Sequence, residues 1–376
     1  MKTYRTGIIG FGFIGKVHAY GHINLPIFFD QQDFRTKITY VCTSNEASAK
    51  KAAEQLGAEH AVTDYRKITE NPEIDIVHIC TPNNLHKDAL LSAIAHNKHI
   101  YCDKPLVVDI KEAEEIAAAL ENYKATAQMT LQNRFFPATI RAKQIIEEGR
   151  LGKILEFRAC YLHSGSADPN APLKWKLSAE SGGGVIADLA SHVMDLTHFL
   201  LGDYESLTAQ TKIAYPERPS ASAPSQMLKV EVEDYVQMLV KMQNGAVGNI
   251  EASKIATGIE DEMRFEIHGS KGAVRFNGMD AHHLEFYDSA AQAAPYGGVR
   301  GWTKIDTGQR YEKPAGFPGP KFAIGWMRGH MQCLYNFLEC VNNGKPGNPG
   351  LEQGIYIQYL MDKVRESAKE GKWIKI

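Results

Sequence analysis

Close to its start the chain runs through an apolar stretch, Thr6-Gly7-Ile8-Ile9-Gly10, straight into Gly10-Phe11-Gly12-Phe13-Ile14-Gly15. Few arrangements satisfy that order. A strand must end in a tight turn, and a helix must open within the same six residues and continue to about Leu25. In a G-x-G-x-x-G turn of this kind the first glycine permits the turn and the second lets backbone approach a pyrophosphate. The third lets helix and strand pack closely, with the helix N-terminus facing the phosphates. The strand before the glycines and the helix after them turn a weak motif into a dinucleotide-binding signal.

The surrounding pattern agrees. Strand-like runs at Lys37–Cys42, Asp75–Cys80, His99–Cys102 and Lys124–Met129 alternate with helical runs at Glu46–Leu56, Leu85–Ala95 and Ile110–Asn122. Such alternation predicts a doubly wound α/β fold, an N-terminal Rossmann domain with a parallel sheet, over residues 1–130. Beyond it the pattern changes. A helix over Ala138–Glu148 is followed by alternating segments at 154–163, 206–214, 235–242, 246–255, 263–268 and 273–276, with a helix over Gly184–Leu201 and two closing helices near 329–342 and 352–370. Residues 131–376 therefore read as a C-terminal α+β domain with a large, mostly antiparallel open sheet, which binds substrate and supports oligomerisation. One sheet face should lie on helices, and an apolar outer face should be covered in a homodimer or homotetramer. Residues 216–226 read as a surface loop and 288–320 as a lid or an oligomer contact.

With 376 residues, two domains are expected. The net charge of −2 and the lack of a basic run exclude an electrostatic nucleic-acid binder. The six cysteines form no C-x-x-C pair and read as reduced thiols of a cytoplasmic protein, with no metal site. No apolar stretch is long enough to span a membrane, and no signal peptide is read at the N-terminus.

Two segments carry chemistry. Asp103-Lys104-Pro105 follows the fourth expected strand, at the edge where open parallel sheets bind ligands, so the Lys104 ammonium can donate to a reacting oxygen. In Gly182-Gly183-Gly184-Val185-Ile186-Ala187-Asp188-Leu189-Ala190-Ser191-His192, Asp188 and His192 are four apart and share a helix face. His192 suits a base that removes a hydroxyl proton as hydride leaves. Asp188 either orients it or binds a neighbouring hydroxyl, and Asp195 reads as a structural partner. The end of the second strand reads Thr43-Ser44-Asn45, without the acid that holds a ribose 2′-hydroxyl or an arginine for a 2′-phosphate. Asp30 and Asp33 precede that strand and are set aside, so NAD and NADP both remain open.

Together these residues resemble the Gfo/Idh/MocA oxidoreductases over nearly the whole chain, in the order Gly10–Gly15, Thr81-Pro82-Asn83-Asn84-Leu85-His86, Asp103-Lys104-Pro105 and Gly182–Asp195. The resemblance implies a catalytic set of Lys104, Asp188 and His192. It also implies cofactor contacts from Gly10, Gly12, Phe13, Ile14, Gly15, Thr43, Ser44, Thr81, Pro82, Asn84, His86, Asp103 and Lys104. Asp103 replaces the family's usual glutamate. Tyr161–Asn170 and Pro172–Trp175 are similar to the levoglucosan-dehydrogenase-like members, although an aromatic residue expected near Gly165 and an acid expected near Thr43 are missing. Substrate contacts are then expected from Arg134, His163, Asp168, Asn170 and Trp175 beside Lys104, Asp188 and His192. The implied activity is NAD(P)-dependent oxidation of a secondary hydroxyl on a sugar, anhydrosugar or cyclitol. The alternatives are a dinucleotide-binding sensor of the same fold, or a reductase of a keto-sugar or diol-type substrate.

Overall fold

The computed structural model describes residues 1–29, 33–296 and 298–376, so Asp30 lies outside the described residues. Its chain forms two units, residues 1–132 with 311–319 and 326–358, and residues 133–310 with 320–325 and 359–376.

The first unit is built on six parallel strands, β1 (Lys2–Ile9), β2 (Phe34–Cys42), β3 (His60–Val62), β4 (Ile76–Ile79), β5 (His99–Cys102) and β6 (Ala127–Met129), in the order β3-β2-β1-β4-β5-β6. Helices α1 (Phe13–Phe28), α2 (Glu46–Leu56), α3 (Arg66–Thr69), α4 (His86–Ala95) and α5 (Ile110–Ala119) connect them. Local signals set the ends of these elements. Asn45 caps α2 by accepting the Ser48 N–H, Gly57 ends it with φ +64°, and Asp109 caps α5. The alternation predicts five strands in this unit, and its described residues form six. The extra strand, β3, is a three-residue edge with no buried residue, so it leaves no apolar signature. Asp33 directly precedes β2, which begins at Phe34 rather than Lys37.

In the second unit, helices α6 (Pro137–Glu147) and α7 (Ser191–Leu201) pack on a nine-stranded sheet. Its strands are β7 (Ile154–Leu162), β8 (Tyr204–Lys212), β11 (Tyr235–Met242), β12 (Val247–Ser253), β13 (Glu262–Gly269), β14 (Gly272–Asn277), β15 (His283–Asp288), β16 (Trp302–Asp306) and β17 (Ile374–Lys375). The sheet is antiparallel apart from the β7–β12 pair. The expected surface loop at 216–226 is instead part of a small hairpin, β9 (Glu217–Pro219) with β10 (Met227–Lys229). Its anchor is Arg218, fully buried, which donates to the carbonyls of Asp168 and Ser166 at 2.7 and 2.6 Å. Part of the glycine- and proline-rich stretch is framework too, since β16 edges the large sheet.

The outer face of that sheet corrects the apolar expectation. Lys304, Glu285, Arg275, Glu266 and Arg158 stand opposite one another across five strands, alternating in sign. Opposite charges on directly paired positions support a sheet while keeping the face wettable. The period-two pattern marks which residues share a face, and here the polar half of the alternation belongs to the outside.

Helices α8 (Trp326–Asn342) and α9 (Leu351–Glu370) close the chain. The first unit's sheet has two unlike faces. Ile9, Val77, Ile79, Ile100 and Met129 pack with Leu90, Ile94, Ala113 and Ile116 in an aliphatic core. On the other face, among residues of α1 and α8, the buried side chains include His18, His22, His78, Thr130, Gln128 and His330. Thr36 Oγ1, His22, His78, His18 and Thr130 Oγ1 form a chain of contacts at 2.8, 2.9, 3.1 and 3.5 Å. One donor per contact satisfies this chain with all three rings neutral. Burial lowers His22 and His330 to about 3, and pushes His18 and His78 well below the usual histidine range.

The folded pKa values lie below the unfolded ones, so between pH 6.5 and about 3 the unfolded chain binds protons that the folded chain refuses. Stability from these histidines is complete above pH 6.5 and is lost as pH falls, by about 1.4 kcal/mol per histidine per pH unit at most. The urea midpoint should therefore drop between pH 7.5 and 5.5, and less so in H22Q/H78Q. A slope that is the same in the variant contradicts the assignment.

Candidate active site

The glycine turn is shaped for a ligand that only backbone can approach. Gly10 holds φ +91°, and a Cβ there would stand 2.6 Å from the Cys80 carbonyl oxygen. A Cβ on Gly15 would run into the Gly10 carbonyl. Gly12 is different: it is exposed, and a Cβ on it would meet nothing within 4 Å. Its freedom from side chain is not needed for packing, so it keeps open space in front of the turn. Gly12 also stands at the N-cap of α1 without a side-chain cap, and the first turn carries no acidic residue. That helix end suits an anion, as a dinucleotide pyrophosphate requires. Phe13 is 75% exposed with its ring 5.8 Å from Trp326, and Ile14 is half-buried beside it.

At the carboxyl ends of β4 and β5, Asp103 N–H donates to the Ile79 carbonyl, and Lys104 follows half-buried. Thr81 Oγ1 is buried with no hydrogen-bond partner. An orphaned hydroxyl at this edge fits the loss of a polar partner that a bound dinucleotide would restore. Pro82 is half-buried and Asn84 exposed. His86 does not reach that surface. It is fully buried, with Nε2 2.9 Å from the Thr81 carbonyl and Nδ1 3.0 Å from that of Pro105. The expected cofactor contact is therefore corrected to a staple that ties the Thr81 segment to the loop carrying Lys104. Its helical position, one residue into α4, turns it inward. At the end of β2, Thr43 Oγ1 lies 2.6 Å from Ser48 Oγ and 3.1 Å from the Asn45 carbonyl, while Ser44 is exposed.

The second unit holds the other candidates. Two glycines with positive φ, Gly182 and Gly184, lead into a π-helical turn over Ile186–Ala190 before α7 begins at Ser191. A Cβ on Gly184 would strike the Glu233 carboxylate, which accepts the Ile186 N–H at 3.0 Å. Asp188 and His192 were expected on one regular helix. The structure corrects this, since Asp188 lies in the wider π turn and His192 in the first α turn. Such single-turn insertions recur at functional sites. His192 is 6% exposed, with its ring 5.7 Å from that of Tyr161. Asp188 meets Lys176 at 2.9 Å and Lys254 at 3.2 Å. Neither lysine stands out in sequence, because no local motif marks a residue that pairs across 66 positions, Asp188 to Lys254.

The remaining expected contacts divide. Arg134 is buried in a two-pronged pair with Asp195, Nε to Oδ2 at 2.8 Å, with its guanidinium 5.0 Å from the Phe199 ring. It is thus held as framework, and the expected substrate contact is corrected. Asp195 is the structural partner it was read as. His163 Nδ1 accepts the Gly165 N–H at 2.9 Å, which puts the ring proton on Nε2, and burial lowers its pKa. Asp168 Oδ1 accepts the Asn170 N–H at 2.9 Å, and both residues are exposed on a loop that Arg218 ties down. Trp175 is 40% exposed. Lys104 belongs to the first unit and Asp188, His192, His163 and Trp175 to the second. Among the described residues no group of three metal-ligating side chains could hold an ion, and no helix is long and apolar enough to cross a membrane.

Residues 4–131 match the oxidoreductase family described as NAD-binding Rossmann fold, and residues 143–376 match its C-terminal alpha/beta domain. The chain belongs to this Gfo/Idh/MocA family and is an NAD(P)-dependent oxidoreductase. It is 31% identical to levoglucosan dehydrogenase of Pseudarthrobacter phenanthrenivorans, over 100% of this chain and 99% of that one. Inositol 2-dehydrogenase of Rhizobium meliloti is 25% identical, over 100% and 99%. A solved structure of levoglucosan dehydrogenase in complex with NADH and levoglucosan matches with a TM-score of 0.94 at 32% identity, covering 100% of this chain and 99% of that chain.

The roles of the first two glycines of the turn separate by substitution. Gly12→Ala should keep the melting temperature within about 2 °C, because its Cβ enters open space, yet weaken NADH binding at least about tenfold. Gly10→Ala should lose stability outright, from both its φ and its clash. Thermal melts and NADH fluorescence titration check both. Unchanged cofactor affinity in Gly12→Ala would place the pyrophosphate elsewhere.

Proposed function

We propose that the protein oxidises a secondary hydroxyl of a sugar, anhydrosugar or cyclitol to a ketone. The observation that carries this reading is that His192 is buried at the head of α7, four residues after Asp188 in the π turn, on a helix whose other acid, Asp195, is already matched by Arg134. A helix with its structural ion pair complete has no packing reason to bury a further imidazole. In the proposed reaction the Lys104 ammonium donates to the substrate oxygen and stabilises its alkoxide character. His192 takes the hydroxyl proton. Asp188 binds a neighbouring hydroxyl or orients the base. Trp175 offers an aromatic face to the sugar ring, and the His163 Nε2–H, Asp168 and Asn170 offer polar contacts to its hydroxyls. NAD(P), when bound, accepts the hydride.

The relatives' substrates support an uncharged polyol, with levoglucosan and the inositols as the first compounds to try. Thr43 in place of an acid favours neither cofactor, so both belong in the assay. A sensor of the same fold has no use for Lys104, Asp188 and His192 together. A reductase of a keto-sugar would use the same groups in reverse.

A kinetic panel of levoglucosan, inositols and common hexoses with NAD and NADP tests the proposal. At least one polyol should reduce the cofactor, and His192→Ala should lower kcat by about a hundredfold or more. Retention of rate within about threefold removes His192 from the role of base. Cofactor binding with no turnover on any polyol would favour the sensor.

A further inference from the structure

Asp188 is shared by two lysines of opposite character. Lys176 Nζ lies 2.9 Å from Oδ1 and Lys254 Nζ 3.2 Å from Oδ2. The Lys254 side chain is 5% exposed, that of Lys176 48% and that of Asp188 12%.

Lys254 follows β12 and is fixed from both sides. Its N–H donates to the Asp234 carbonyl at 2.9 Å, and its own carbonyl accepts the Ser166 N–H at 2.7 Å. An ammonium buried this deeply is tolerable only beside a counter-charge, and Asp188 supplies one. Lys176 sits in a short turn whose backbone is equally fixed, with Leu177 N–H on the Lys174 carbonyl and Gly184 N–H on the Lys176 carbonyl. Its side chain, however, extends through solvent and passes 5.8 Å from the Trp175 ring. An ion pair with one solvated partner is weak and exchanges readily with other donors. The two carboxylate oxygens are therefore unequal: Oδ2 faces a permanent partner and Oδ1 a replaceable one.

We propose that Lys254 is a positioning residue that fixes Asp188 through Oδ2, and that Lys176 is a latch on Oδ1 that yields to a hydroxyl of the incoming polyol. The exchange moves no proton and breaks no covalent bond. One hydrogen-bond donor replaces another on a carboxylate whose position does not change. The latch rests on the dehydrogenase reading above, whereas the Lys254–Asp188 pair does not.

Two measurements test it. The first is a stability cycle on the full chain without ligand, using K254M, D188N and the double variant. D188N should lower the melting temperature by roughly 5 °C or more, because it strands the buried Lys254 ammonium, whereas K254M should cost less, because Lys176 still faces Asp188. The double variant, which removes the stranded ammonium, should melt no lower than D188N. Losses that simply add would overturn the pairing. The second is steady-state kinetics on the polyol that turns over. K254M should lower kcat at least about tenfold, a loss that a purely structural residue would not confine to the surviving folded enzyme. K176M should lower KM for the polyol about threefold or more, because a competitor for Oδ1 is removed. A raised KM in K176M would make Lys176 a substrate contact and overturn the latch, and an unchanged kcat in K254M would overturn positioning. If no polyol turns over, the latch falls with the dehydrogenase reading and the stability cycle still decides the pair.

Discussion

The fold of the first unit depends on how closely α1 approaches the end of β1. That approach is possible only because Gly10 turns with φ +91° and Gly15 leaves its helix face bare against the Gly10 carbonyl. With the helix seated there, its N-terminus points along the carboxyl edge of the sheet, and Gly12 keeps the space in front of it empty. Strands β4 and β5 end at the same edge and deliver Thr81, Asp103 and Lys104 to it. Holding these segments together takes one further device, the buried His86 between the Thr81 and Pro105 carbonyls. A bulky residue at either tight glycine would displace the helix on which the other placements depend.

Buried polar groups fall into two kinds. Most are satisfied within the framework: Arg134 by Asp195, Arg218 by a set of loop carbonyls, and the histidines of α1 and β4 by one another. These arrangements specify geometry, and removing one partner costs more than the pair contributes, since the survivor stays desolvated. The Asp188 region is unlike them. It brings a buried lysine, an exposed lysine and a π turn together around one carboxylate.

Much of this was legible in sequence, for identifiable reasons. The Gly10–Gly15 turn and the strands near it carry both a motif and an apolar pattern, so the Rossmann unit could be read almost element by element. The β3 edge could not, because none of its three residues is fully buried. Asp188 and His192 stand out through spacing and Lys104 through its place after a strand, whereas Lys254 and Lys176 do not, because lysine is ordinarily a surface residue and no local motif ties either one to Asp188. His86 and Arg134 depart from the expected ligand contacts for a related reason. A polar residue inside a recognisable motif looks like a ligand contact, and only tertiary contacts show that backbone carbonyls or a buried carboxylate have claimed it. The outer face of the large sheet departs from the apolar expectation because alternation tells which residues share a face, and not that charges on five strands line up with opposite signs.

In the proposed reaction hydride leaves the carbinol carbon directly for the cofactor. The most direct measurement uses a polyol deuterated at the reacting carbon, incubated with the protein and oxidised cofactor, followed by mass spectrometry of the cofactor. The account predicts that the reduced nicotinamide carries one deuterium and that the ketone has lost it. Reduced cofactor without deuterium, or deuterium released to water, would contradict direct transfer and the roles assigned to Lys104 and His192.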